Sequence, residues 1–205
     1  MFRPFRKIVF VVATGLVSLG AFAATVTVTV ADRAGKPLSD AVVMLAPLSG
    51  HLPVRPMNGV EIAQAHRQFD PRITVVTVGT AISFPNRDTV RHHVYSFSAA
   101  KIFELKLYAG VPATPVLFDK PGIVVLGCNI HDDMVAWVVV VDTPLYARSG
   151  TDGRSQIDSV PDGKYEVRAW HSELPDPTAM VSMPLSVAGT NVEMRAVLPT
   201  PGSQK

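Results

Sequence analysis

Gly127-Cys128-Asn129-Ile130-His131-Asp132-Asp133-Met134 places a thiol, an imidazole and a thioether in one short loop, spaced Cys-x2-His-x2-Met, and Cys128 is the only cysteine among 205 residues. Soft sulfur donors beside an imidazole form three quarters of a metal-ligand set that lacks one more histidine. A buried cysteine beside an unrelated histidine is the competing reading of Cys-x2-His alone. The rest of the chain decides between them, by supplying or failing to supply a remote histidine and a rigid scaffold.

The flanks of this loop are strands. Ile123 to Leu126 precedes it, and Val135 to Val141 follows it as an unbroken apolar run, the pattern of a strand covered on both faces. Further upstream come ITVVTV from Ile73, AISFP from Ala81, HHVYSFS from His92 and FELKLY from Phe103, in which Phe103, Leu105 and Leu107 alternate with Glu104, Lys106 and Tyr108. Such short alternating runs predict an antiparallel sandwich.

The strand at His92 also supplies the missing imidazole, twice over. His92 and His93 are adjacent, and because successive strand residues point to opposite faces, only one of them can meet Cys128 and His131. Asn86, His92, Val94, Tyr95 and then Cys128, His131 and Met134 follow the order and spacing of the cupredoxins, and from about Phe69 to Asp142 the chain resembles plastocyanin and amicyanin. The resemblance implies one type 1 (blue) copper ion held by His92, Cys128, His131 and, as a weak axial ligand, Met134. His93 then stands where the family carries an Asn that ties the ligand loop, a task a histidine performs in only one tautomer. The loop also lacks the family's usual Pro before its histidine.

Zinc, the usual competitor for Cys and His, is a poorer match, since Met134 is a weak zinc ligand and no second cysteine completes a tetrahedral set. A cysteine nucleophile activated by His131 would leave Met134 and His92 without a role. With no oxyanion signature and no phosphate loop, an enzyme is not expected. Adjacent acids in a loop are usually just solvated, but Asp132 and Asp133 would make the surface around His131 negative and favour a basic partner.

The two ends of the chain carry a second pattern. Thr25 to Val30 alternates, a turn follows at Asp32-Arg33-Ala34-Gly35-Lys36-Pro37, and Ala41 to Leu45 is apolar. This opening resembles that of the carboxypeptidase regulatory-like family, a β-sandwich of transthyretin type. The remainder of that family's pattern appears about a hundred residues later, as Thr151-Asp152-Gly153, Ser155 to Ile157, then Val160-Pro161-Asp162-Gly163-Lys164-Tyr165 and a strand to Trp170.

The expected fold is therefore all-β: a cupredoxin-like Greek-key sandwich over residues 69–143, inserted into a discontinuous regulatory-like sandwich formed by residues 24–48 and 147–198. Three consecutive units are the simpler alternative, and strand pairing between the two ends distinguishes them. Residues 49–68 read as a linker with a short helix over Val60 to His66, and residues 199–205 as a flexible tail. His51 and His66 read as solvated, and His171 as a surface or domain-contact residue.

The hydrophobic content of 47% against 18% charged residues excludes a disordered chain. Arg3, Arg6 and Lys7 precede an apolar run from Ile8 to Leu19 and the small-x-small sequence Ala21-Phe22-Ala23, the pattern of an export signal over residues 1–23. That run is short for a membrane span, which favours cleavage over an uncleaved anchor. The 19 basic residues less those three leave 16 against 17 acidic ones, a net charge of −1, and no basic patch for nucleic acid remains.

Together these features predict a periplasmic protein that carries single electrons to or from a soluble redox partner such as a c-type cytochrome or an oxidoreductase. The rival readings are copper storage, delivery or sensing, and a metal-free scaffold. Chains of this organisation resemble plastocyanin-like proteins labelled methylamine utilization proteins, a name that implies a pathway the residues do not themselves indicate.

Overall fold

The computed structural model describes residues 23–200, and all the regular structure there is β. The expected signal peptide, apart from Ala23, and the tail from residue 201 onward lie outside the described residues. The amino-terminal strands are β1 (Ala24–Ala31) and β2 (Val42–Pro47). The central part holds β3 (Val60–Glu61), β4 (Ala63–Ala65), β5 (Gln68–Asp70), β6 (Ile73–Thr77), β7 (Thr80–Ser83), β8 (His92–Ser98), β9 (Lys101–Tyr108), β10 (Val116–Phe118), β11 (Gly122–Gly127) and β12 (Val135–Val141). The carboxyl-terminal part adds β13 (Tyr146–Arg148), β14 (Arg154–Val160), β15 (Gly163–Trp170), β16 (Val181–Val187) and β17 (Val192–Val197).

The two ends of the chain pair with each other. β1 lies between β14, antiparallel with Val26 opposite Ile157, and β17, parallel with Val28 opposite Met194. β2 lies between β13 and β15, with Val43 opposite Ala147 on one side and Ala169 on the other, and β16 completes that sheet. The outer sandwich is thus assembled from both sides of the central segment. Gly153 closes one of its corners at φ 76°, and an added Cβ there would lie 2.4 Å from the Val30 carbonyl oxygen, so no other residue fits without moving β1.

The central segment forms a five-stranded sheet, β6-β12-β11-β8-β9, and a three-stranded sheet, β10-β7-β3. β11 returns past β9 and β10 to lie antiparallel beside β8, the crossed connection of a Greek key and the cupredoxin-like arrangement expected, and β6 adds a parallel edge to β12. The apolar run of β12 has a simple cause. Ala136, Val138 and Val140 face one core with Phe84, Phe118 and Leu126, while Trp137, Val139 and Val141 face a second core shared with Val43, Leu45 and Trp170 of the outer sandwich. A strand buried on both faces has no polar side to alternate.

The short helix expected over Val60 to His66 does not form. Instead Val60 pairs with Ile82, Ile62 is fully buried, and β4 and β5 make a tight hairpin with Ala65 opposite Gln68. The apolar positions Val60, Ile62 and Ala63 suit two short strands changing sheets better than one helical stripe. This part of the expected linker therefore packs into the central unit. Thr200, within the expected flexible tail, is buried. His51 and His66 are exposed as expected. His171 is instead 93% buried, being 7% exposed. Its Nε2 donates to the Ser39 carbonyl, and its Nδ1 accepts from the Glu173 N–H, so the ring ties those two segments of the outer sandwich together.

Candidate metal centre

β8 delivers two histidines to opposite faces. His92 turns inward with Val94 and Ser96 and is fully buried, whereas His93 shares the outer face with Tyr95, its ring edge-on to the tyrosine at 5.8 Å. The alternation that left the choice open in the sequence thus resolves to His92 at the core. The loop after β11 brings Cys128, 4% exposed, to the same place, and the tight turn closed by Met134 N–H on the His131 carbonyl at 3.0 Å brings His131 over it.

The result is a cluster in which one donor atom each from His92, Cys128 and His131 lies within 4.8 Å of the others. Cys128 Sγ is 3.9 Å from His92 Nδ1 and 4.0 Å from His131 Nδ1, and the two rings are inclined by 55° with centroids 5.1 Å apart. A first-row ion with bonds of about 2.0–2.1 Å to nitrogen and about 2.3 Å to sulfur, subtending about 120–135°, sets those atoms about 3.7–4.0 Å apart. The two sulfur–nitrogen separations therefore suit a metal ion shared by Cys128, His92 and His131. Met134, 1% exposed, lies in the same apolar cluster as Cys128. Asp132 and Asp133 are exposed, and His131 is partly so.

His93 takes up the tying role that its position implies. Asn129 Nδ2 donates to its Nδ1 at 3.1 Å, linking β8 to the residue after Cys128. That fixes the ring proton on Nε2, which lies 3.0 Å from Glu104 Oε1 but out of hydrogen-bond alignment, so the two meet as a close polar contact only. Tyr95 lies across from Gly127, and a Cβ at 127 would come within 2.8 Å of its ring. The residue preceding Cys128 is glycine because the tyrosine occupies that space.

Asn86 secures the segment leading to His92, its Nδ2 donating to the carbonyls of Val90 and Tyr108, both at 2.9 Å. Its Oδ1 accepts the Asp88 N–H at 3.0 Å, and the Asp88 carboxylate in turn reaches His92 Nε2 at 2.7 Å. Asp88 is not singled out by the sequence. Its only local signal is the turn-forming run Asn86-Arg87-Asp88, which says nothing of contacts to β4 and β5. Partial burial raises the Asp88 carboxyl, but hydrogen bonds from the Arg67 N–H, His92 and the His66 N–H outweigh it and hold the group below its usual range.

Tyr108 closes the far side. Its hydroxyl lies 2.7 Å from both the Phe84 carbonyl oxygen and the Gln64 amide oxygen, while Gln64 Nε2 is buried without a partner. One proton cannot serve two acceptors, so the amide is better turned over, with Nε2 donating to the phenol and the phenol donating to Phe84.

Burial pushes the Tyr108 phenol up to about 12, with the hydrogen bond to Gln64 opposing and the nearby Cys128 charge assisting. A phenol with an unfolded value of about 10 then contributes stability that is complete below about pH 10 and is lost as pH rises through the folded value. Chemical denaturation of the metal-free protein is expected to show an alkaline loss of stability between pH 10 and 12 that is smaller in Tyr108→Phe. Equal losses in both proteins would remove the claim.

No protein-family model matches the chain, and no curated protein matches it in sequence. Among solved structures it is similar to a purple cupredoxin from Nitrosopumilus maritimus, at 20% identity and a TM-score of 0.36, over 40% of this chain and 99% of that one. It is also similar to a copper-containing nitrite reductase from Thermus scotoductus SA-01, at 22% identity and a TM-score of 0.39, over 46% of this chain and 25% of that one. A third likeness is to an oxidized variant of amicyanin, at 22% identity and a TM-score of 0.36, over 40% of this chain and 81% of that one. The reading of the centre rests on its own geometry.

Proposed function

We propose that this protein is an exported one-electron carrier in which His92, Cys128, His131 and Met134 would hold a single copper ion of the type 1 kind. The observation that carries this is the meeting of Cys128 Sγ with the two Nδ1 atoms at 3.9 and 4.0 Å in a buried setting. When bound, copper would supply one-electron chemistry between Cu(I) and Cu(II), for which a donor set of one thiol sulfur, two imidazoles and a thioether is suited.

The chain's own residues do the rest. His92 and Met134 keep water away from the thiolate, while Asn129 and His93 hold the loop to β8. His131, partly exposed, offers the short route to solvent. Asp132 and Asp133 beside it favour a partner with a basic face, such as a c-type cytochrome or an oxidoreductase, whose association weakens with salt. The basic and apolar pattern of residues 1–23 supports export to the periplasm.

Titration of the purified protein with Cu(II) tests the reading. One equivalent is expected to give an intense visible thiolate-to-copper band, bleached by a mild reductant and restored on reoxidation. A colourless protein would sink the proposal, and a coloured one that exchanges electrons only slowly would be a copper store. Replacing Asp132 and Asp133 by Asn is expected to slow reduction by a cationic cytochrome several-fold at low ionic strength and hardly at all at high. An unchanged rate at low salt removes the role of those acids.

A further inference from the structure

The buried histidine of the centre is held from behind by a carboxylate seated in an unfavourable turn. His92 Nδ1 faces Cys128 Sγ, and the opposite ring nitrogen, Nε2, lies 2.7 Å from Asp88 Oδ2. The Asp88 side chain is 16% exposed and His92 is not exposed at all. Asp88 Oδ1 accepts the His66 N–H at 2.7 Å, and Oδ2 accepts the Arg67 N–H at 2.9 Å.

Those two donors are the central residues of the β4–β5 hairpin, with φ of 55° and 59°. A two-residue hairpin with both central residues left-handed is ordinarily built from Asn-Gly, because a Cβ makes that conformation costly. Here His66 and Arg67 adopt it, and the consequence is that their successive N–H groups converge on one carboxylate, as a backbone nest converges on an anion. Backbone strain of this kind persists where its surroundings demand it, and the demand visible here is the seating of Asp88.

We propose that Asp88 is a positioning residue of the metal centre: seated in the His66–Arg67 turn, its carboxylate keeps the His92 proton on Nε2, leaves Nδ1 free to bind, and lowers the reduction potential of the bound ion. This rests on the reading of His92 as a copper ligand. An imidazole whose Nε2–H is donated to a carboxylate presents its lone pair at Nδ1 and becomes a stronger donor. The same negative charge attracts Cu(II) more than Cu(I), because the former carries one more positive charge.

Asp88→Asn keeps the size of the side chain and one oxygen while removing its charge. Competition with chelators of known affinity, together with voltammetry, reads the outcome. Cu(II) affinity is expected to fall at least about tenfold, within the range for loss of a supporting partner of a ligating histidine. Cu(I) affinity falls less, and the potential rises by about 59 mV for each tenfold difference between the two. Copper bound at an unchanged potential would overturn the proposal.

A second measurement, 15N NMR of the His92 ring in the unsubstituted, metal-free protein, needs neither copper nor a variant that folds. Nε2 is expected to carry a proton, and a bare Nε2 with the proton on Nδ1 overturns the assignment. If the unsubstituted protein takes up no copper, the carrier reading fails by itself, and the ring spectrum still decides the part played by Asp88.

Discussion

Cys128→Ser is expected to leave the protein folded and to abolish the intense visible band of the Cu(II)-loaded form. Cys128 Sγ is the sulfur that meets both Nδ1 atoms, at 3.9 and 4.0 Å, and a serine hydroxyl at that place is neither soft nor ionised at neutral pH. Copper affinity should fall by more than the about 10–100-fold that loss of a supporting hydrogen bond costs, because a ligand itself is removed. Stability without metal should change by only about 1–3 kcal/mol, the cost of a small hydroxyl in an apolar cluster. Absorption spectra and denaturation curves of the two proteins, side by side, check both halves. His93→Asn is the companion variant: since His93 lies on the outer face, the band is expected to survive. A variant that loses colour at His93 and keeps it at Cys128 would refute the placement of the centre.

Trp170→Ala is expected to destabilise the whole described chain by about 3–5 kcal/mol, the range for emptying the space of a large buried aromatic. Trp170 is fully buried, donates from Nε1 to the Pro177 carbonyl at 2.9 Å, and packs on Trp137 with ring centroids 6.2 Å apart. Trp137 belongs to β12, whose other face lines the core beneath the metal centre, and Arg72 covers its ring at 5.0 Å. The two sandwiches consequently share a packed wall, so that loss in one is felt in the other. Denaturation followed by far-UV circular dichroism and by copper colour should give coincident transitions, both moved by the substitution. Colour that melts at an unchanged midpoint while the dichroism shifts would show two separate units.

Much of this was legible in the residues because the relevant signals are local. β8 and β12 occupy the runs expected, 92–98 and 135–141, since each is a strongly β-forming stretch bounded by polar loops. The pairing of the ends could be expected because a recognisable turn pattern was missing after β2 and present after β13. The hairpin at 63–70 was not legible: its turn residues, His66 and Arg67, are not turn formers, and only the remote carboxylate of Asp88 explains their conformation. The same holds for the centre. Cys128 and His131 are neighbours in sequence, but the choice of His92 over His93 depends on which face of β8 the core covers, and Asp88 is revealed only when β4 and β5 are folded against it.

The insertion of the central unit between β2 and β13 also bears on how the chain reaches this state. Val43 and Ala147 face each other across two strands separated by the whole of the central segment. Joining them through a disordered loop of that length, rather than one of about five residues, would cost about 2–3 kcal/mol more in loop-closure entropy. Once folded, the segment is no longer a long loop, because β6, in its first half, and β12, close to its carboxyl-terminal end, lie side by side with Thr77 opposite Val141. The central unit thereby serves the outer sandwich as a clasp, and a ligand that tightens the clasp stabilises outer strands that do not touch that ligand.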